Sequence, residues 1–197
     1  MESHVEQSCP ICGVENSLKM LAHTSEIPYF GEHTQITMSC DSCGWRVTDF
    51  IPAEGKKAGS WKLVVSSAEH ISSRVVRSSS CTVRIVELGL EVTPGLSSTG
   101  YISNVEGVLD RFSSAIGTIR RQADAEGDED ILKKCDDLLS EIDMVMNGHL
   151  TVTLELLDPV GHSQILHDEA VSSEISDEDA KELDPGPVYP VFDVSNE

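Results

Sequence analysis

The sequence predicts an α+β protein in which a four-cysteine zinc ribbon is followed by a mainly β domain with an inserted antiparallel helical hairpin. Three observations support this: two Cys-x-x-Cys pairs, runs rich in Val, Ile and Thr, and a later change to helical spacing. We expect a zinc-ribbon module over residues 1–50 and a β domain over residues 51–168, interrupted by the hairpin at about 104–148. An acidic, partly irregular tail over residues 169–197 completes the predicted domain organisation.

The two cysteine pairs predict one structural zinc site formed by Cys9, Cys12, Cys40 and Cys43. Zinc in structural sites prefers a closed tetrahedron of thiolates, and each Cys-x-x-Cys turn presents two sulfurs to one ion. The 27 residues at positions 13–39 exceed the roughly 15 to 20 often found between such pairs. A strand pair in "LKMLAHTSEI" and "TQITMS", with a turn at "IPYFGEH", accounts for the extra length. A glycine after each pair, Gly13 and Gly44, lets the backbone turn back toward the sulfurs.

Other chemistries of these four sulfurs fit the sequence less well. A thioredoxin-like redox pair needs one Cys-x-x-Cys at the start of a helix in a βαβ setting, which neither pair has. A rubredoxin-like iron site uses similar turns, but the sequence of this arm does not indicate the aromatic core usual around such a centre. Catalytic zinc keeps one position open for water, whereas four thiolates fill the coordination shell. We therefore expect a protein that is not an enzyme, with no catalytic residues.

The middle of the chain predicts strands, then two helices, then strands again. The runs "WKLVVS", "RVVRS" and "CTVRIVELGLEV" favour a sheet, and "DFIPAEGKKAGS" before them reads as a flexible connection. From Asn104 onward the apolar residues follow helical spacing, and a second apolar stripe ends at Asn147 and Gly148. "LTVTLELLDP" returns to strand alternation, "DPVGHS" is a turn, and "QIL" is a short last strand. The two apolar helical stripes run from Val105 to Ile119 and from Ile131 to Met146.

The remaining reactive side chains predict core or surface positions. Cys81 alternates with Val83 and Ile85, and Cys135 lies on the second helical stripe, so we expect both to be small core residues. The seven histidines are scattered, with no two spaced in the sequence to serve one metal. His162, within "DPVGHS", is the histidine that most needs checking.

The charge of the chain disfavours nucleic acid as a partner. The formal net charge is −20, and residues 101–197 hold six basic and twenty-three acidic side chains, against eight and eleven in residues 1–100. Binding to a phosphate backbone relies on Lys and Arg. A nucleic-acid-associated zinc ribbon in translation or transcription remains the alternative hypothesis, because six basic residues could form a local face: Lys56, Lys57, Lys62, Arg74, Arg77 and Arg84.

The sequence also predicts a location in the cytoplasm. No apolar run approaches the roughly 18 residues that cross a bilayer, and "MESHVEQ" lacks the features of a signal peptide. Cys-x-x-Cys pairs without an export signal favour metal binding in a reducing compartment over disulfides. We expect neither a membrane nor a small-molecule substrate among the partners.

Six segments occur in a characteristic order along the chain: "CPICG", "IPYF", "CDSCGW", "RVVRSSSCTVRIVELGLEV", "YISNVEG" and "LLDPVGHS". Together they resemble the ZPR-type zinc-finger proteins, and the resemblance covers about residues 8 to 168. It implies a β domain of the double-stranded β-helix type, zinc ligation by the four cysteines, and binding to translation elongation factor one-alpha, a GTPase. Eukaryotic members carry two copies of the module and act as folding chaperones for that factor. The single copy here resembles the shorter archaeal members.

The chain departs from the family pattern at three motifs. The family's Ile-Pro-Glu-Leu corresponds to residues 85–88, where Val86 replaces the proline. Its Thr-Thr-Val-Glu-Gly corresponds to residues 103–107, which begin with Ser103 and Asn104. Its Asp-Pro-Ser-Gly-Asn-Ser corresponds to residues 158–163, where Val160 and His162 differ. Residues 103–107 fit a helix cap and residues 158–163 a tight turn, or together a rim that grips a partner.

Overall fold

A computed structural model describes residues 2–5, 7–27, 31–52, 57–95 and 98–186. An N-terminal antiparallel sheet consists of β1 (Glu2–Val5), β2 (Leu18–Ile27), β3 (Gly31–Cys40) and β4 (Arg46–Pro52), in that spatial order. Leu18 pairs with Cys40 at one end of the long β2–β3 hairpin, and Ile27 pairs with Gly31 at the other. Pro28, predicted in the turn, lies outside the described residues, whereas Gly31 has the positive φ of 77° that the turn requires.

The β domain contains a five-stranded and a three-stranded antiparallel sheet. The five-stranded sheet has the order β12-β5-β10-β7-β8, and the three-stranded sheet has the order β11-β6-β9. The strands are β5 (Gly59–Val65), β6 (Arg74–Arg77), β7 (Thr82–Ile85), β8 (Leu90–Val92), β9 (Tyr101–Asn104), β10 (Val152–Asp158), β11 (Gln164–Leu166) and β12 (Val171–Glu174).

Helices connect and cover these strands. The short α1 (Ala68–Ile71) follows β5, and the hairpin α2 (Val105–Glu126) and α3 (Glu129–Met146) lies between β9 and β10. The Asn104 side chain accepts a hydrogen bond from Gly107 N–H at 2.8 Å and so caps α2. Gly127, with φ of 72°, ends α2, and Asn147 caps the end of α3. A further short helix, α4 (Asp177–Glu182), follows β12.

The main hydrophobic core lies between the two sheets and the helical hairpin. Alternate residues of β10 and its neighbours form the sheet side, as with Leu63, Ile85 and Leu154, each with 0% exposure. The helical side comes mainly from the first half of α2 and the second half of α3, including Leu109 and Ile142. A separate small core surrounds the cysteines of the N-terminal sheet and consists of Cys9, Leu18, Met20, Met38, Cys40, Trp45 and Val47.

The architecture confirms the predicted fold class, a four-cysteine ribbon module followed by a mainly β domain with an inserted antiparallel helical hairpin. The domain boundaries stay predictions, but β4 crosses the first of them and regular elements lie beyond the last. β4 continues to Pro52, so the first residues of the expected flexible connection belong to the ribbon sheet. β12 and α4 lie within the tail that was expected to be partly irregular, and residues 187–197 lie outside the described part.

Two predicted core residues of the hairpin are exposed. Ile119 of α2 and Ile131 of α3 have 53% and 40% exposure, although both follow the helical spacing of their buried neighbours. They lie toward the α2–α3 turn, whereas the residues packed against the sheets come from the opposite ends of the two helices. The helical periodicity predicted which face of each helix is apolar, but it did not predict how far along each helix that face is covered by the sheets.

Candidate metal centre

The four cysteines occupy two turns of the same local construction. In the first, Gly13 N–H donates to the Cys9 carbonyl at 2.9 Å, and in the second, Gly44 N–H donates to the Cys40 carbonyl at 3.0 Å. Both glycines have positive φ, 71° and 74°, which a residue with a side chain adopts at a cost. The turn glycines therefore shape the backbone as the sequence predicts.

The β2–β3 hairpin brings the two turns together, because Leu18 and Cys40 are partners at its base. The four sulfur atoms all lie within 4.8 Å of one another. Cys9 Sγ is 3.7 Å from Cys43 Sγ, and Cys12 Sγ is 3.7 Å from Cys40 Sγ. A tetrahedron with zinc–sulfur bonds of about 2.3 Å has edges of about 3.8 Å, so the cluster is compatible with binding one zinc ion.

The thiols of the cluster influence one another strongly. The hydrogen bond with Ser17, supplemented by backbone N–H groups of Cys43 and Ser42, lowers the pKa of Cys40 to about 6 against the opposing effect of desolvation. The backbone N–H of Trp45 lowers the pKa of Cys43, but desolvation and the other three thiols outweigh it and raise that pKa to about 12. Deprotonation of one thiol thus makes deprotonation of its neighbours less favourable. A bound cation would allow all four to be thiolates together.

Around the cluster, the burial is asymmetric. Cys9 and Cys40, the first residue of each pair, are buried in the small core with Trp45, while Cys12 and Cys43 are exposed. Ile11 N–H points to Cys9 Sγ at 3.4 Å, as expected for a turn that closes around a thiolate. Four sulfur ligands would complete a tetrahedral shell, which is the arrangement of structural zinc.

The other two cysteines are core residues, as expected. Cys81 and Cys135 have 0% and 5% exposure and belong to the main core. Burial, together with the negative charge of Asp158, raises the pKa of Cys81 to about 12. A thiol that stays protonated and has no access to solvent is a poor nucleophile.

Two histidines that are distant in the sequence meet in the structure. The ring centroids of His70 and His167 are 4.7 Å apart, and Nε2 of His70 lies 3.4 Å from a Glu169 carboxylate oxygen. The Nδ1 atoms of His70 and His167 accept backbone N–H groups of Ser66 and Glu169, both at 3.1 Å. In a neutral ring Nε2 then carries the proton, so neither histidine offers a lone pair at Nε2 to a metal. Among the described residues, only the four cysteines form a group suited to a metal.

The motif at residues 158–163 is built around a buried carboxylate. Asp158 has 1% exposure and accepts hydroxyl hydrogen bonds from Ser78, Ser80 and Ser163, at 2.7, 2.9 and 2.7 Å. Backbone N–H groups of Val160 and Ser163 donate to it as well. This motif and the Asn104 cap at residues 103–107 therefore both have a structural function, and His162 is half-buried beside the first.

Most residues of the proposed basic face are engaged with acids or with the backbone. Arg77 has 5% exposure and donates to the carbonyls of Cys81 and Thr99. Lys62 and Arg84 flank the buried Glu155, at 2.8 and 3.6 Å. Lys57 contacts Glu174, Arg84 also contacts Glu91, Arg74 is exposed, and Lys56 lies outside the described residues.

The ribbon sheet contacts the β domain through its edge strand β4. The Asp49 carboxylate accepts the Ser79 N–H at 2.9 Å and the Ser79 hydroxyl at 2.7 Å. Gly100 N–H donates to the Thr48 carbonyl at 2.6 Å, which brings the start of β9 beside β4. Phe50 of β4 and Leu166 of β11 both pack against the buried Val76 of β6. The metal centre is therefore attached to the β domain by polar and apolar contacts as well as by the chain.

Fold and site together define a class of protein, a zinc ribbon joined to a jelly-roll domain. The model of the ZPR1 zinc-finger domain matches residues 3–56, and that of the ZPR1 jelly-roll domain matches residues 69–182. The chain belongs to the ZPR1 family. No helix among the described residues is long and apolar enough to span a membrane.

Relatives of known sequence agree with this membership. A ZPR1-like protein of Methanocaldococcus jannaschii is 36% identical over 94% of this chain and 92% of its own length. One from Pyrococcus horikoshii is 34% identical over 91% and 80%. The zinc finger chaperone zpr1 of Schizosaccharomyces pombe is 27% identical over 80% of this chain, which spans 34% of that protein. The resemblance to the shorter archaeal members is thus confirmed.

Proposed function

We propose that the chain is a chaperone-like adaptor of the cytoplasm that engages translation elongation factor one-alpha or a similar GTPase, and that it is not an enzyme. The observation that carries the proposal is the metal centre. Four sulfurs at tetrahedral spacing leave no position for a substrate, so the zinc would shape a surface instead of reacting. Relatives named as zinc finger proteins, and one named as a chaperone, support a binding function.

Within this proposal, Cys9, Cys12, Cys40 and Cys43 hold one zinc ion. Elemental analysis of the purified chain should give one zinc per chain, and Cys12→Ser should lose most of it because one thiolate ligand is removed. Ser42→Ala is the matched control, since Ser42 is an exposed neighbour in the second turn and offers no sulfur. Full zinc content in Cys12→Ser would contradict the assignment of this ligand.

The contacts of the basic residues favour a protein partner over nucleic acid. Arg77 is buried, and Lys62 and Arg84 neutralise Glu155 within the sheet, so these cations are not displayed for phosphates. Asp49 and Ser79 attach the ribbon to the β domain, which would give a partner a composite surface instead of two separate modules.

Affinity purification from a native lysate, followed by mass spectrometry, tests the proposal. We expect the elongation factor to be enriched over its level with an unrelated protein of similar acidity, which controls for the charge of −20. Enrichment should persist after nuclease treatment and at raised salt, whereas a nucleic-acid-mediated association should disappear. No enrichment of the factor would contradict the proposed partner.

A refolding assay tests the chaperone activity separately. Denatured elongation factor diluted into buffer with GTP should recover more nucleotide binding in the presence of the chain than with the acidic control protein. Binding of the native factor without any gain in refolding would retain the adaptor and reject the chaperone.

A further inference from the structure

The last strand of the five-stranded sheet is attached almost entirely by its backbone. Among the strands that the structure describes, β12 pairs with β5 alone, and all four of its side chains are exposed, Val171 at 65%. A strand held in this way gains little from apolar burial, which dominates the stability of the rest of the domain. We therefore expect β12 to open locally before the remaining strands of its sheet.

Three polar contacts fix the register of this strand. The hydroxyl oxygens of Ser60 and Ser173 are 2.8 Å apart, and Ile175 N–H donates to the Ala58 carbonyl at 3.1 Å. Lys57 Nζ lies 3.4 Å from a Glu174 carboxylate oxygen, with both side chains well exposed. An exposed ion pair of this kind contributes little stability, so the pairing depends on the backbone bonds and the Ser60–Ser173 contact.

The segment before β12 has its own attachment to the domain. His167 packs against His70 of α1, and the carboxylate of Glu169 lies beside Nε2 of His70. Ala170 N–H donates to the His167 carbonyl at 3.0 Å, closing a turn before the strand. Residues 171–175 can therefore leave the sheet while the chain up to residue 170 stays in place.

β5, the neighbour of β12 in the sheet, is anchored by its other neighbour and by the main core. β5 pairs with β10 over seven residues, and its Leu63 and Val65 are buried in the main core. Departure of β12 would leave the outer backbone groups of residues 58–62 without strand partners, which is a template for another extended segment.

We propose that the outer edge of β5 is a strand-acceptor site, filled by β12 within the chain and by an extended segment of another protein when β12 opens. The chemistry of the present occupant defines that of the partner. The partner segment needs a hydroxyl side chain opposite Ser60 and a carboxylate in the next position, within reach of Lys57. This inference goes beyond the proposed function and does not depend on it.

A fluorescent synthetic peptide of residues 168–178, DEAVSSEISDE, is the probe, and fluorescence anisotropy measures its binding to the full chain. Ile175→Pro in the chain removes the N–H that bonds to Ala58 and so opens β12 without altering β5. Because the internal strand no longer competes at high effective concentration, we expect this variant to bind the peptide at least about tenfold more tightly than the unchanged chain.

Ser172→Pro is the matched control. Since bonding alternates along antiparallel strands, the Ser172 N–H faces solvent when that of Ile175 faces β5, and proline is tolerated at such a position. The affinity of Ser172→Pro for the peptide should equal that of the unchanged chain. The peptide with proline at the Ile175 position should not bind any of them, and salt of at least 150 mM limits repulsion between peptide and chain.

Three outcomes would overturn the proposal. The first is equal or absent peptide binding in Ile175→Pro and in a second opened variant, Ser173→Pro. The second comes from hydrogen exchange in the unchanged chain, if the amides of residues 171–175 exchange as slowly as those of β10. The third is a dimer seen by light scattering that Ile175→Pro abolishes, which would make a second copy of the chain the occupant.

Discussion

Asp49 of the ribbon sheet and Ser79 of the β domain form a two-point contact, in which one carboxylate receives both the backbone N–H and the hydroxyl of the same serine. The distances are 2.9 and 2.7 Å. The neighbouring serines, Ser78 and Ser80, donate instead to Asp158 at the end of β10. Alternate residues of one loop thus bind carboxylates from the two modules, which makes this loop the main polar link between them.

The first prediction concerns that link. Asp49→Ala should destabilise the chain by about 1–3 kcal/mol, because the N–H and hydroxyl of Ser79 and the N–H of Phe50 lose a charged acceptor. Ser79→Ala should cost about 1 kcal/mol because its N–H remains. In a double-mutant cycle the two changes should couple by at least about 0.5 kcal/mol. Urea unfolding followed by Trp45 fluorescence in a Trp61→Phe background measures the effect from the ribbon side. Asp41→Ala, which removes an exposed ion pair with Lys19, is the control. Strict additivity would show that Asp49 and Ser79 act separately.

The second prediction uses two glycines of the loop between β8 and β9. A Cβ on Gly100 would lie 2.8 Å from Asp49 Oδ1, 3.1 Å from Phe50 Cδ2 and 3.2 Å from the Arg77 carbonyl oxygen. Gly100→Ala should therefore push β4 away from the β domain and destabilise the chain by about 1–3 kcal/mol. Gly95→Ala is the matched control, because its Cβ would meet nothing within 4 Å.

Thermal unfolding of both glycine variants, with hydrogen exchange of residues 46–52, measures the outcome. Faster exchange of β4 in Gly100→Ala, and not in Gly95→Ala, is the expected result. Equal stability of the two variants would mean that the contact between the modules accommodates a methyl group.

Local patterns in the sequence predicted the cysteine turns, the helical hairpin and several of the strands, but not every element of the fold. Cysteine spacing predicted the cluster, and Asn104 marked the start of α2, because caps and turns depend on residues a few positions apart. The run from Cys81 to Val92 was predicted as strand, but the structure divides it into β7 and β8 around Gly89, which has φ of 61°.

Contacts between distant segments could not be predicted in the same way. Nothing near Asp49 or Ser79 in the sequence indicates their pairing, and His70 and His167 meet only because α1 packs beside the end of β11. Glu155 stands at a polar position of the alternating segment "LTVTLELLDP", yet it is 7% exposed, because Lys62 and Arg84 cover it from both neighbouring strands. β12 lies in an acidic segment whose composition suggests irregular structure, and its pairing with β5 is provided by backbone bonds that composition does not encode.

The third prediction concerns removal of zinc. Within the described part of the chain, the small core of the ribbon has seven buried residues, two of them cysteines, whereas the main core has nineteen. Structural zinc contributes roughly 10–16 kcal/mol of apparent binding energy in small zinc peptides, more than such a core supplies. A strong chelator should therefore unfold the ribbon and leave the β domain folded. Trp45 fluorescence should change at once, while Trp61 and the helical circular dichroism should change only on heating. An unchanged Trp45 signal up to the melting of the β domain would mean that the ribbon folds without metal.

The fourth prediction concerns the pH dependence that Asp158 imposes. Burial raises the pKa of this carboxyl, but hydrogen bonds from Ser163, Ser78, the Val160 N–H and Ser80 outweigh burial, so the pKa lies below its usual value of 3.8. Because the pKa is lower in the folded chain than in the unfolded one, the stabilisation is complete well above about pH 4 and is lost as the pH falls through the folded pKa. Asp158→Asn should cost about 3 kcal/mol at pH 7, since donors that faced a carboxylate then face an amide.

The difference in unfolding free energy between Asp158→Asn and the unchanged chain should shrink as the pH falls from 7 to 3. Urea unfolding followed by Trp61 fluorescence in a Trp45→Phe background reports on the β domain alone. A separate signal is needed because, at low pH, protons compete with zinc for the cysteine thiols and so change the stability of the ribbon. Asp137→Asn, on the exposed face of α3, should show a small difference at every pH. A constant cost of Asp158→Asn across this range would contradict the assignment, because the loss would then come from the shape of the amide and not from the charge of the carboxylate.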